Sequence, residues 1–280
     1  MMPPVFIGMP VYNGGNYISA AIDSILNQSY QNWTLLISDN NSDDDTSSIA
    51  LDYSKRDSRI RYIKQGINHG AADNFYYLLN QSDCKFFAWF AADDIWLPDF
   101  LNICMSTLSS NSSLGLCFTR LQAIDGNNAI VRDCPTLPAL SGKQELRTTL
   151  KYVFENEISG KANLIYGVIK TDLAKIAWEK TIAGKSFWGQ DMCFVLAVIC
   201  RGGVHVDRNI CFYKRYSQPI NPEESKQTCN YSKNPHIPLN DFLSYFNGML
   251  HATSGTRYYW PTFAAMSYRL ISNIINGALK

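Results

Sequence analysis

The chain has 280 residues, of which 46% are hydrophobic and 18% charged, and its formal net charge is +1. Such a length buries a substantial core, and such a composition belongs to a folded protein rather than a disordered one. A nearly neutral chain gives no electrostatic footing for nucleic acid, which is excluded as a partner.

In chain order, Val5–Met9 is a short apolar run closed by Pro10 and reads as a buried strand. Tyr17, Ile18, Ala21, Ile22, Ile25 and Leu26 follow at helical spacing. Residues 33–38 read as a second strand, ending in the polar turn Asp39-Asn40-Asn41-Ser42-Asp43, and a helix is expected over 45–55. A strand at 60–64 and a helix at 71–79 come next. Lys85–Ala91 is almost wholly apolar, as in a strand covered on both sides. Pro98 is expected to open a helix, and 114–123 to form another strand. This alternation predicts βαβ units and an α/β fold with a mostly parallel sheet.

The second half is less regular. Residues 135–142 read as a loop, 164–169 as a strand, 172–178 and 191–200 as helices, and 204–216 as an extended segment. Residues 218–238 are rich in Pro, Asn, Ser and Lys and read as a loop, followed by a helical extension over 239–280. The expected organisation is one domain over 1–217, in two halves (1–110 and 111–217), before that loop and extension.

Ligands of open α/β sheets bind beyond the carboxyl ends of the strands. Here those ends deliver Pro10-Val11-Tyr12-Asn13, the 39–43 turn, Asn68 and Asn74 after the third strand, and Asp93-Asp94 after the apolar one. Two adjacent carboxylates at a buried strand end repel each other unless a cation or a diphosphate-bound metal joins them. A helix entry before Pro98 is the structural alternative for that pair.

The order Pro10-Val11-Tyr12-Asn13, Asp39-Asn40-Asn41-Ser42-Asp43, then Ala92-Asp93-Asp94 with Trp96 resembles the hallmarks of the family 2 glycosyltransferases, inverting enzymes of the GT-A fold, over residues 4–216. The resemblance implies a nucleoside-diphosphate sugar donor, most simply a UDP-sugar. It also implies a glycan or lipid-linked acceptor in bacterial surface-polysaccharide synthesis. Tyr12 then stacks on the base, Asp39 accepts from it, and Asp93 holds the ribose, with Pro10, Asn13, Asn68 and Asn74 around the nucleotide. Asp94 is the implied ligand of Mn2+ or Mg2+. Lys214 and Arg215 in Tyr213-Lys214-Arg215-Tyr216-Ser217 are implied to offset leaving-group charge. Asn40 replaces a common Asp, and Tyr216 stands where relatives often have a metal-binding His.

An inverting transfer needs a base, and Phe187-Trp188-Gly189-Gln190-Asp191 resembles the family segment that supplies it, which makes Asp191 the candidate. A helix cap is the alternative for Asp191. Trp188 and Gly167 are expected to face the acceptor. Asp172, His69 and His205 read as structural.

Two other functions share the front half. A Rossmann-type oxidoreductase would carry G-x-G-x-x-G after the first strand, which Gly8–Gly15 lacks. A non-catalytic sugar- or nucleotide-binding module would need neither the carboxylate pair nor a base.

The eight cysteines form no C-x-x-C pair, as expected of a reduced compartment. The N-terminal residues do not resemble a signal peptide, and no run approaches the ~18–20 apolar residues of a membrane span. The expectation is a cytoplasmic protein. Its aromatic-rich tail either lies on the inner face of the cytoplasmic membrane, packs on the catalytic domain, or joins subunits.

Overall fold

A computed structural model of the chain describes residues 3–133, 137–156, 159–181, 188–216 and 238–275. In chain order the elements are β1 (Val5–Val11), α1 (Ile18–Leu26), β2 (Trp33–Asp39), α2 (Thr46–Arg56), β3 (Ile60–Lys64), α3 (Ala71–Asn80), β4 (Phe86–Trp89), β5 (Ile95–Trp96) and α4 (Phe100–Ser110). There follow β6 (Leu114–Ile124), β7 (Ile130–Asp133), α5 (Leu146–Phe154), β8 (Val168–Lys170), α6 (Thr171–Thr181), α7 (Gln190–Ile199), β9 (Gly203–Arg215), α8 (Leu239–Thr253) and α9 (Tyr259–Ile275).

The strands form one sheet in the order β3-β2-β1-β4-β8-β6-β9-β5, with β7 on β6. β1 pairs parallel with β2 and β4, and β2 parallel with β3, so one edge collects their carboxyl ends. β8 runs antiparallel between β4 and β6, which makes the sheet mixed, and β6 pairs parallel with β9. Helices cover both faces of the central strands, and this is why Val5, Phe6, Ile7, Phe87, Ala88 and Trp89 are all fully buried in unbroken apolar runs.

The front half matches the sequence reading closely, whereas the back half corrects it. β5 and α5 were not anticipated. The helix expected at Pro98 starts at Phe100, because Pro98 spends its carbonyl on the Ser29 N–H at 2.8 Å. The strand expected over 164–169 is a 3-10 helix, Lys161–Tyr166, followed by β8 from Val168. Gly167 sets that boundary: a Cβ there would lie 2.7 Å from the Cys117 carbonyl oxygen, so the chain meets β6 backbone to backbone. Almost all of the 218–238 loop lies outside the described residues.

The C-terminal helices pack on the domain. Arg201, just past α7, donates to the Ala197, Ala252 and Ser254 carbonyls at 2.8–2.9 Å, tying α7 to the end of α8. Tyr245 of α8 is fully buried, and Arg269 of α9 donates to the Val153 carbonyl of α5 at 2.7 Å. The six cysteines among the described residues are free thiols.

Candidate active site

Three adjoining cavities open along the carboxyl edge of the sheet. The first, about 260 Å3, is walled by Pro10 and Tyr12 from the end of β1, Asn40 from the end of β2, and Asn68, Asn74 and Phe75 from the entry to α3. Asn13 and Asn41 hold left-handed φ values of 53° and 68°, which Asn tolerates better than most residues. They bend the two strand ends toward each other, and the Asn13 N–H reaches Ser42 Oγ at 2.9 Å. Tyr12 stands 53% exposed on the rim, an open ring face suited to stacking on a planar group.

Neutral amides organise this cavity. Asn40 donates to Asn68 Oδ1 at 2.8 Å and to the Gly70 carbonyl at 3.1 Å, and it accepts the His69 N–H at 3.0 Å. Asn74 is 4% exposed and donates to the Ser38 carbonyl at 2.9 Å, while its own Oδ1 is buried with no partner. A buried acceptor left unpaired on a cavity wall is costly unless a ligand N–H or water meets it.

Asp39, expected to accept from the base, lies beneath this wall and is not among the residues that line the cavity. Fully buried, it accepts from the Ser42 N–H (2.8 Å), Ser47 hydroxyl (2.7 Å) and Tyr62 hydroxyl (2.8 Å). Burial works to raise its pKa, but these hydrogen bonds outweigh it and hold the carboxyl below its ordinary value. The neighbouring Asn40 faces the cavity instead.

The second cavity, about 400 Å3, continues from the first past Tyr12 and Asn13 to Tyr17, Asp93, Tyr166 and Lys214. Asp93 is half-buried on its wall. Asp94 is not on the wall; it is 0% exposed. Its Oδ2 accepts from Lys214 Nζ at 2.9 Å and its Oδ1 from the Arg215 N–H at 2.9 Å. Burial pushes the Asp94 carboxyl up to about 6, against the pull of the Lys214 ammonium. Burial also works to lower the Lys214 pKa, but Tyr166, Asp94 and Asp93 together raise it above the ordinary lysine value. The two shifts pull oppositely, burial favouring a neutral Asp94 and the surrounding oxygens a charged Lys214, and a carboxyl near 6 is still ionised at neutral pH beside that ammonium.

Backbone register makes this pair. β5 runs antiparallel to β9 with Ile95 opposite Tyr213 and Trp96 opposite Phe212, so the next step along the ladder sets Asp94 against Lys214. Arg215 is turned away from the cavity, contrary to expectation. It is 4% exposed and donates to the Asp93 and Asp125 carbonyls and to Asn128 Oδ1, with its guanidinium 4.5 Å from the Tyr17 ring centre. It clamps the turn after β6 and does not face a leaving group.

The expected metal centre does not fit these residues. Mg2+ and Mn2+ take several hard oxygen ligands. Asp94 offers both of its oxygens to Lys214 and Arg215, and the described residues contain no group of three or more ligating side chains. Tyr216, the residue after β9, is an exposed phenol, a poor ligand at neutral pH.

The third cavity, about 220 Å3, is lined by Phe75, Tyr166, Trp178, Thr181, Gln190 and Asp191. Gly189 enters α7 with φ +82° and places Gln190 and Asp191 in its first turn. Asp191 Oδ1 accepts the Met192 N–H at 2.7 Å, which fixes the carboxylate, and burial raises its pKa. Trp178 is 6% exposed and its indole N–H has no partner. Gly167 and Trp188, expected to face an acceptor, do not line these cavities. Gly167 is packed on β6, and Trp188 lies edge-on to Tyr245 of α8 with ring centres 5.2 Å apart.

The residues that connect the cavities were not singled out from sequence. Tyr166 lines the second and third, and Phe75 lines all three. Phe75 reads in sequence as one more apolar residue on a helix face, and Tyr166 as part of a strand. His69 contributes its backbone to the Asn40 network. His205 sits on β9, 3.7 Å from Asp207 and off these cavities.

Comparison with known proteins bears on the fold and the family. A Staphylococcus aureus TarS structure superposes with a TM-score of 0.60 at 13% identity, covering 98% of this chain and 91% of that one; it was solved with UDP. The mannosyltransferase PcManGT of Pyrobaculum calidifontis, in complex with GDP-Man and Mn2+, gives 0.53 at 14% identity over 99% and 80%. These likenesses show the GT-A fold. In sequence, the Escherichia coli UDP-Glc:alpha-D-GlcNAc-diphosphoundecaprenol beta-1,3-glucosyltransferase WfgD is 36% identical over 127 residues, 45% of this chain and 49% of that protein. The Campylobacter jejuni GalNAc(5)-diNAcBac-PP-undecaprenol beta-1,3-glucosyltransferase is 29% identical over 51% of this chain and 43% of its own length. The matched stretch thus spans about half the length of each relative. The Glycosyl transferase family 2 profile matches residues 6–160, more than half of the 280 and including the walls of the first two cavities up to Asp93, and the chain belongs to that family.

Proposed function

We propose that the chain is an inverting glycosyltransferase that moves a sugar from a UDP-sugar to a hydroxyl of a glycan or lipid-linked saccharide, with Asp191 as the general base. The observation that carries this reading is continuity. One trough runs from the amide-lined cavity, past Asp93 and Lys214, to Asp191, with Phe75 and Tyr166 as shared walls. A nucleotide base, a diphosphate with its ribose, and a reacting sugar have that order along one molecule.

In this arrangement Tyr12 stacks on the base, and Asn74 Oδ1 accepts a base N–H in place of its missing partner. Asp93 faces the ribose hydroxyls. Lys214 meets the diphosphate. At the far end Asp191 takes the proton of the acceptor hydroxyl as its oxygen attacks the anomeric carbon. The carbon–oxygen bond to the diphosphate breaks on the opposite face, and UDP leaves. Burial raises the Asp191 pKa, and a more basic carboxylate is a stronger acceptor for the hydroxyl proton. No step of this reaction is routed through a metal, although GT-A enzymes generally use one.

The two relatives named above act, by their names, on undecaprenol-linked saccharides, and this supports a lipid-linked acceptor and work at the cytoplasmic face of a membrane. No helix among the described residues is long and apolar enough to cross one. The outer side of α9 exposes Trp260 and Ile275 at 73% and 77%, which is compatible with lying on a bilayer.

The test is a panel of UDP-, dTDP- and GDP-sugars, assayed for donor hydrolysis and for transfer to undecaprenyl-diphosphate-linked N-acetylhexosamine. Turnover of a UDP-sugar, lost in Asp191→Asn, is the expected result. No turnover with any donor sinks the reading.

A further inference from the structure

We propose that the positive charge meeting the donor diphosphate in this chain is the Lys214 ammonium, held in place by Asp94, and not a protein-bound divalent cation. The inference rests on the glycosyltransferase reading and names the agent that neutralises its leaving group.

Four observations carry it. Asp94 is sealed at 0% exposure with one oxygen on Lys214 Nζ and the other on the Arg215 N–H, both at 2.9 Å. The contact is built by backbone, since β5 and β9 pair at Ile95–Tyr213 and Trp96–Phe212 and the ladder continues through the Leu97 N–H to the Cys211 carbonyl at 2.9 Å. Lys214 is also fixed from its other side, where its ammonium stands 4.7 Å from the Tyr166 ring centre. Finally, Lys214 is on the wall of the 400 Å3 cavity while Asp94 is not.

An ammonium has three donors. One is spent on Asp94, and the face toward the cavity serves a phosphate oxygen without moving the strand. A cation that took Asp94 as ligand would have to expel Lys214 and leave a buried charge without its partner, which is strongly unfavourable. Arg215 supplies no second charge to the cavity, because its side chain is spent on two carbonyls and Asn128. A preorganised charge aimed where negative charge develops stabilises departure of the diphosphate, and Lys214 is placed to do so without recruiting an ion. Asp94 is then a positioning residue and Lys214 the group in contact with substrate.

The experiment is calorimetric titration of the full 280-residue chain with UDP, dTDP and GDP, in EDTA and again in Mn2+. The expected result is a UDP Kd that agrees within about twofold between the two conditions, with no Mn2+ retained in the complex by electron paramagnetic resonance. Lys214→Met should weaken UDP at least about tenfold in EDTA, and Lys214→Arg should restore most of it. Because Lys214→Met strands a buried carboxylate, the double variant Lys214→Met with Asp94→Asn is titrated beside it; it removes both charges in similar volume and should bind UDP as weakly. A wild-type Kd that tightens tenfold or more on adding Mn2+, with Mn2+ held in the complex, overturns the inference but leaves the glycosyltransferase reading standing. Full UDP affinity in the double variant also overturns it. Failure of all three nucleotides in both conditions overturns both.

Discussion

The two ends of the trough solve different problems with different chemistry. At the base end the groups are neutral amides: Asn40 donates to Asn68, and Asn74 donates to the Ser38 carbonyl and leaves its own acceptor unpaired. At the reacting end, Asp94, Lys214 and Asp191 are charged or chargeable groups taken out of water. Neutral hydrogen bonds lose little when a ligand exchanges for water, so the base end is suited to reading shape and donor pattern. Buried charges are strong and unforgiving, so the reacting end is suited to holding a fixed field.

That contrast predicts where substitutions act. The largest effect is expected from Asp191→Asn, which should lower transfer by about 10²–10⁴-fold while leaving UDP affinity nearly unchanged, measured by kcat and by titration. Equal loss of both would make Asp191 structural. The same carboxylate sets the pH response. A base works deprotonated, and burial raises this one, so kcat/KM should fall as pH drops through a value above the ~3.9 of a free Asp. That limb should disappear from the residual activity of Asp191→Asn.

Lys214→Met should cost about 3–5 kcal/mol of stability in urea denaturation, because the fully buried Asp94 carboxyl is left without its partner. A loss near zero would mean that water already reaches the pair. At the base end the effects shrink. Asn40→Asp turns a carboxylate toward Asn68 Oδ1 and the Gly70 carbonyl, both acceptors, and should weaken UDP by roughly tenfold, about 1.4 kcal/mol, with little change in kcat. Trp188→Ala, off the trough, should change transfer by no more than the ~0.5 kcal/mol of an ordinary surface substitution. A larger loss would bring the acceptor to the α7–α8 side.

The base end was legible in the sequence, and the physical reason is locality. Each of its walls is a strand end followed within a few residues by its own polar turn, so hydrophobic period and turn chemistry place them together. Adjacent residues on a strand end face opposite ways, and sequence alone did not fix that Asn40 would line the cavity while Asp39 bonds Ser42, Ser47 and Tyr62 beneath it. The reacting end depends on pairing across distance. Lys214 and Asp94 meet only because β5, two residues long, is held by β9, and so short a strand leaves no periodic signal. Arg215 looked equivalent to its neighbour Lys214 for the same reason that Asn40 was overlooked beside Asp39. Gly167 was expected to face the acceptor, whereas the space its side chain would occupy is taken by the backbone of β6. Asp191 was expected from the resemblance of residues 187–191 to a family segment, and the structure sets it in the first turn of α7 on the wall of the third cavity.

Phe75 is the one side chain common to the three cavities, and its carbonyl is pinned by the Trp89 indole N–H at 3.0 Å. Its backbone is therefore fixed while its ring borders every ligand. Any occupant of one cavity that favours one ring rotamer changes the affinity of the next. By linkage the second ligand must change the first by the same factor. On the proposed function, donor and acceptor would share the border of this single aromatic ring.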